Sequence, residues 1–98
     1  MAEIIWTEPA LQNLDQIAEY IALDKPAAAK KLVKKVFEVT DRLINFPLSG
    51  RQPPELENSI YREIIAGPCR IFYRVEQDKV LIIHIMRSEQ LLRKYLLT

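Results

Sequence analysis

One cysteine and one histidine in 98 residues leave little for metal or thiol chemistry. The lone Cys69 can form no internal disulfide, agrees with a reducing compartment, and offers no CxxC or Cys/His spacing for zinc. No metal is expected. Only two glycines are present, and no Gly-rich loop follows a strand to cradle phosphates, so nothing indicates a nucleotide cofactor. No run approaches the roughly 18 to 20 apolar residues a membrane span needs, and the N-terminal "MAEIIW" lacks the basic start and apolar core of a signal peptide. A cytoplasmic protein without membrane contact is expected. The net charge of +1 argues against an unspecialised nucleic-acid binder.

What is present suffices for a core. Apolar residues make up 49% of the chain, and a domain of this length buries roughly two-thirds of the surface its unfolded form exposes. Residues 1–98 are read as a single domain. The basic residues separate by type: five of seven lysines precede residue 36, and six of seven arginines follow residue 50. Arginine's planar fork suits fixed recognition of carboxylate or phosphate, whereas lysine is more often a solvated charge.

The pattern begins with a short strand, Ile4 to Trp6. In "TEPALQNLDQIAEYIA" Thr7 is the expected N-cap and Pro9 lies in the first turn, with Leu11, Leu14, Ile17, Ala18 and Ile21 on one helical face. "DKPAAAKKLVKKVFEVTDRLINF" repeats the arrangement with Asp24 as cap, Pro26 in the first turn, and Leu32, Val33, Val36, Phe37, Leu43 and Ile44 as its apolar face. So short a link implies an antiparallel helical hairpin, ended by Pro47 and Gly50. A proline-rich connector, "PLSGRQPPELENS", leads to three strands, Tyr61 to Ile65, Arg70 to Val75 and Val80 to Met86, the last two joined as a hairpin at "EQDK". "SEQLLRKYLLT" then supplies an N-cap-like Ser88 and a leucine-rich segment, expected to be covered by the sheet, a second copy or a partner. The class is α+β, with an N-terminal strand, a two-helix hairpin and three mainly antiparallel strands.

The strand at 70 to 75 alternates. Ile71, Tyr73 and Val75 share one face, and Arg70, Phe72 and Arg74 share the other. Arg74 with Glu76, or Arg62 with Glu63, can equally be plain charge pairs on a solvated face. His84, between Ile83 and Ile85, reads as a packed residue before it reads as a general base. Tyr95 among leucines reads as packing before acid catalysis, and Cys69 as a small buried apolar group.

Taken in order, the strand ending in Trp6, "ALQNLDQIAEYIALDKPAAA", "FPLSGR", "YREI", "CRIFYRV" and "VLIIHIMR" resemble the RelE/ParE superfamily of toxins from type II toxin-antitoxin modules. The resemblance spans nearly the whole chain. It implies a cognate antitoxin that wraps and neutralises the protein, a role in plasmid maintenance, and no direct DNA binding without that antitoxin. It also implies one of two targets. RelE-like members cut messenger RNA in the ribosome, and there Arg70 and Arg87 match phosphate-binding arginines and Tyr95 the catalytic tyrosine. ParE-like members bind and stall DNA gyrase without catalysis. The absence of lysine between residues 36 and 78, together with Pro9, Pro26 and the connector "GR", points to the ParE branch. The expected target-binding residues are Arg62, Arg70, Arg74, Arg87 and Arg93, and the expected antitoxin-binding residues Leu91, Leu92 and Leu96. A homologue without toxicity, acting in replication control through its antitoxin complex, is the third reading.

Overall fold

The computed structural model describes residues 1–97. Strand β1 (Glu3–Trp6) leads into helices α1 (Glu8–Ala22) and α2 (Pro26–Asp41), followed by β2 (Tyr61–Ala66), β3 (Cys69–Glu76) and β4 (Lys79–Arg87). A 3₁₀ turn extends α2 over Arg42–Ile44, and another, Lys94–Leu97, closes the described chain. The sheet order is β1-β4-β3-β2, with β1 parallel to β4 and the other pairs antiparallel.

Thr7 connects the first strand and helix by doing two things at once. Its hydroxyl accepts from the Ala10 amide at 3.4 Å, capping α1, and donates to the Ile82 carbonyl at 2.7 Å, fixing the helix start to β4. The buried face of α1 runs through Ala10 and Leu14 and continues over Ile17 and Ile21. Leu11, expected on that face, is 44% exposed because Ala10 holds the inward position and the next residue turns about 100° away.

The second helix corrects a further expectation. Its N-cap is Lys25, without a side-chain hydrogen bond, and not Asp24. The Asp24 and Lys25 amides both donate back to the Ile21 carbonyl as α1 unwinds. Pro26 then keeps Lys25 out of the helical conformation, so the boundary falls one residue later than the side-chain chemistry suggests. The helix ends at Asp41, before Pro47 and Gly50 are reached. Ala29, Leu32, Val36 and Val39 form its buried face, while Phe37 lies at the rim with its ring centroid 5.0 Å from that of Trp6.

Both faces of the sheet are covered. The helices pack over Ala66, Cys69, Ile71, Tyr73, Val80, Ile82 and Ile85. On the reverse face Phe72 and Met86 lie beneath Leu92 and Leu97, with Leu56, Tyr61, Ile83 and Leu96 around them. An irregularity makes this possible, because the register passes from Phe72↔His84 to Tyr73↔Ile82 and leaves Ile83 as an extra residue in β4. Ile82 and Ile85, three apart, therefore both join the helical side, and Ile83 joins the other.

The connector is drawn onto the sheet by Tyr73. Its hydroxyl donates to the Pro47 carbonyl at 2.8 Å and accepts from the Gly50 amide at 2.9 Å. Arg51 then pairs through its backbone with Glu63, donating at 3.1 Å and accepting at 2.7 Å. This approach requires glycine at position 50, where a Cβ would lie 2.5 Å from the Tyr73 hydroxyl and 2.8 Å from the Glu63 carbonyl oxygen. Gly50→Ala should lower stability by about 1–3 kcal/mol through overpacking. A urea titration showing an unchanged midpoint would remove this constraint.

Candidate functional site

Arg70 sits on the reverse face of β3, and only 6% of it is exposed. Its side chain is enclosed by acceptors. Nε donates to Glu63 Oε2 at 2.8 Å and Nη2 to Glu63 Oε1 at 3.1 Å. The other side of the fork meets Glu55, with Nη2 to Oε1 at 2.7 Å and Nη1 to Oε2 at 2.8 Å, and Nη1 also reaches the Gln90 carbonyl at 3.3 Å. All five guanidinium donors are thus engaged. The Phe72 ring lies beneath, with its centroid 5.0 Å from Cζ.

The two carboxylates carry the network outward. Glu63, 1% exposed, also accepts from Arg51 Nε at 3.2 Å, and Glu55 accepts from the Leu92 amide at 3.1 Å. In the sheet Ile65 is opposite Arg70 and Glu63 lies two residues further along the same face, a diagonal that long side chains span. The hydrogen bond from Arg70 lowers the Glu55 pKa to about 2 against the opposing effect of burial, and the two carboxylates in turn push the Arg70 pKa upward.

A second feature is a groove of about 560 Å³ between α1, the end of β4 and the C-terminal segment. Tyr20, His84, Arg87, Leu91, Arg93 and Tyr95 are among its lining residues. Arg87 Cζ lies 5.5 Å from the centre of the Tyr20 ring. Its Nε is 3.1 Å from Glu89 Oε1 but out of line for a hydrogen bond. Burial pushes the His84 imidazole below its ordinary pKa, which favours the neutral ring. Among the described residues no group of three or more His, Cys, Asp or Glu side chains is placed to hold a metal ion.

Residues 4–92 match the family described as the ParE toxin of the type II toxin-antitoxin system, parDE. The chain belongs to that family. It is 37% identical to Y4kP of Sinorhizobium fredii, over 89% of this chain and 88% of that one. It is 30% identical to Toxin RelE2 of Caulobacter vibrioides, over 93% of this chain and 100% of the relative. Among solved structures it resembles a chain of the chromosomal ParDE TA system from P. aeruginosa, with a TM-score of 0.76 and 26% identity over 91% of this chain and 98% of that one. The protein is therefore a type II toxin of the ParE/RelE superfamily.

In the toxin the five expected target-binding arginines do not form one cluster. Arg87 and Arg93 line the groove. Arg70 lies in the buried network, and Arg62 donates from Nη1 to the Gly50 and Leu48 carbonyls at 2.8 and 3.3 Å, holding the connector. Arg74 pairs with Glu76 at 2.9 Å on its own strand. Of the leucines expected to meet an antitoxin, Leu91 is 68% exposed, Leu96 is half-buried at the groove wall, and Leu92 is buried under the sheet. Sequence reasoning missed Glu55 and Tyr20, and it set Glu63 beside Arg62 on a solvated face, whereas Glu63 is buried and bonds Arg70 and Arg51. Glu63 carried a signal, being an acid at an apolar-strand position two residues from the one opposite Arg70.

Arg70→Met should cost about 3–5 kcal/mol, because Glu63 would remain buried without its main partner. A second substitution, Glu63→Leu, should then restore part of the loss, a coupling a double-mutant cycle reads directly. Purely additive losses would count against a buried pair. Glu55 sets the acid limb. Its folded pKa lies below the ordinary 4.5, so its contribution is fully present above about pH 4.5 and is lost as the pH falls toward 2. Glu55→Gln should flatten the stability curve in that window, as followed by the urea midpoint between pH 6 and 2.5.

Proposed function

We propose that this toxin binds and inhibits DNA gyrase in the cytoplasm, so blocking replication and arresting growth, and that a cognate antitoxin neutralises it. In that role the whole chain acts as one toxin domain, and the module maintains the plasmid or chromosomal segment that carries it. The observation that carries the gyrase reading is the engagement of Arg70. Its donors are satisfied by Glu63, Glu55 and Gln90, so the pair of arginines required to grip a scissile phosphate is divided between the protein's interior and the groove. Stalling gyrase needs no such pair. A protein-binding surface suffices, and the groove with Arg87, Arg93, Leu91 and Tyr95 on its walls has the mixed charged, apolar and aromatic character of one.

A second reading is favoured by a specific juxtaposition. His84, Arg87 and Tyr95 line the same groove, which sets a proton-transfer group beside a cation as a ribosome-dependent mRNA endonuclease requires. The test compares thymidine and amino-acid incorporation in the minutes after the gene is induced without its antitoxin, alongside gyrase supercoiling with purified toxin. DNA synthesis should stop first, and supercoiling should be inhibited, with Arg87→Ala and Arg93→Ala each weakening both effects. Earlier arrest of translation, abolished by Tyr95→Phe, would transfer the assignment to the nuclease. If neither synthesis changes, the toxin is an inactive homologue that functions only within its antitoxin complex.

A further inference from the structure

The net charge of +1 averages over two unlike helical faces. The exposed charges of α1 are Glu8, Asp15 and Glu19, all acidic, whereas α2 and its 3₁₀ extension expose Lys30, Lys31, Lys34, Lys35 and Arg42 against Glu38 and Asp41. Lys30 with Lys34, and Lys31 with Lys35, stand one turn apart, a spacing at which like charges repel. Among the described residues none of these five cations makes an ion pair. Lys31, Lys35 and Arg42 fall within about 40° of one another around the helix and span about 16 Å of its length. That flank leads to a cleft of about 340 Å³ at the edge of β2, walled by Val39 and Arg42 from the helix, Ser49 and Arg51 from the connector, and Ile64 and Ile65 from the strand. Arg51 Nε donates to Glu63 Oε1 at 3.2 Å, but among the described residues its Nη1 and Nη2 meet no acceptor, and the side chain is 62% exposed. Glu63, the carboxylate lining the cleft, is already held from within by Arg70. The Ser49 hydroxyl adds a further donor.

We propose that this cleft and the adjoining flank of α2 bind the phosphate backbone of duplex DNA, with Arg42, Arg51 and Ser49 on one phosphate and Lys35 and Lys31 on those that follow it. The proposal departs from the expectation that the toxin meets DNA only through its antitoxin. A run of one sign along about 16 Å suits a polyanion whose strand carries a phosphate about every 3.4 Å of rise. No aromatic ring lines the cleft on which an unpaired base could stack, whereas a duplex has its bases already stacked on each other and needs none. An acidic protein segment would have to bind through charge alone, because over residues 31–42 the only exposed apolar side chain, Phe37, stacks toward Trp6. Backbone contacts carry no sequence information, so the binding is weak and indifferent to sequence. The cleft lies at β2 and the groove at β4, with β3 between them. A toxin seated on an enzyme through the groove therefore keeps this flank free for the DNA that the enzyme holds. The proposal goes beyond the gyrase reading and does not depend on it.

The test titrates purified toxin into a fluorescently labelled duplex of about 20 base pairs and follows anisotropy between about 50 and 200 mM salt. Affinity should fall with salt along a logarithmic slope of about −3 to −4, as expected for four phosphate contacts. Arg42→Ala and Lys35→Ala should each weaken binding about three- to tenfold and reduce that slope by about one, whereas Lys94→Ala, an exposed cation of the C-terminal turn, should change neither. With isotopically labelled toxin, the amide resonances of Ser49, Gly50 and Ile65 should move as DNA is added. No binding at the lowest salt, equal losses with Lys94→Ala, or shifts confined to the groove would each overturn the site. Tighter binding to an RNA of the same length would assign the flank to RNA, and equal binding to polyglutamate would assign it to an acidic protein; either result overturns duplex DNA as the ligand. Because no gyrase is present, failure here leaves the gyrase reading standing, and failure of gyrase inhibition leaves this site standing.

Discussion

A single buried cation organises the reverse side of this toxin. Arg70 links three segments distant in sequence: Glu63 on β2, Glu55 in the connector, and Gln90 at the start of the C-terminal segment. Burying an arginine is costly unless each donor finds an acceptor, and here each does. The consequence reaches beyond the charge itself. The two carboxylates are held by Arg70 on one side and then hold Arg51 and the Leu92 amide on the other, so both coverings of the reverse face depend on it. Buried ion pairs are weak sources of net stability but strong determinants of arrangement. In this fold the pair determines where an irregular connector and an irregular tail lie.

The helical side needs no such device. Ala10, Leu14, Leu32, Val36 and Val39 present an apolar surface to Ile71, Tyr73, Ile82 and Ile85, and burial alone orders these elements. Among the described residues the reverse side has no α-helix to supply backbone hydrogen bonding of its own. Its cover is loop and 3₁₀ turn, whose polar groups must be met individually. This explains why Arg70, Glu55 and Tyr61 bond directly to that cover, while Tyr73 and Arg62, on the helical face, hold the start of the connector. The Tyr61 hydroxyl, for example, donates to the Leu97 carbonyl at 3.1 Å and fixes the far end of the tail.

The elements of regular structure were legible because their signals are local. Pro9 and Pro26 mark helix starts, alternation marks β3, and the Gly67 and Pro68 pair marks the break between β2 and β3, where Gly67 adopts φ of +55°. The α+β class and the antiparallel hairpins followed from these. What was not legible depends on contacts distant in sequence or on an irregularity. Nothing in "VLIIHIMR" announces that Ile83 is an extra residue, yet that residue decides which way His84 and Met86 face. The same limit applies to the arginines. Their type and density indicated fixed recognition of carboxylates, which is what Arg70 does, but the carboxylates proved to be the chain's own.

That distinction joins the internal network to the external surface. The groove's outer wall is the segment from Gln90 to Leu96, and its position is set by Arg70 at Gln90, by Glu55 at Leu92, and by the buried side chains of Leu92 and Leu97. Arg87 precedes this anchored stretch at the end of β4, and Arg93 lies within it, immediately after Leu92. Their spacing is therefore imposed from beneath, by the two carboxylates that Arg70 holds, while Arg87 itself pairs with Glu89. An arginine consumed inside the protein sets the geometry of the two displayed outside it. A backbone anchored in this way loses less freedom when a partner binds than an unanchored tail would.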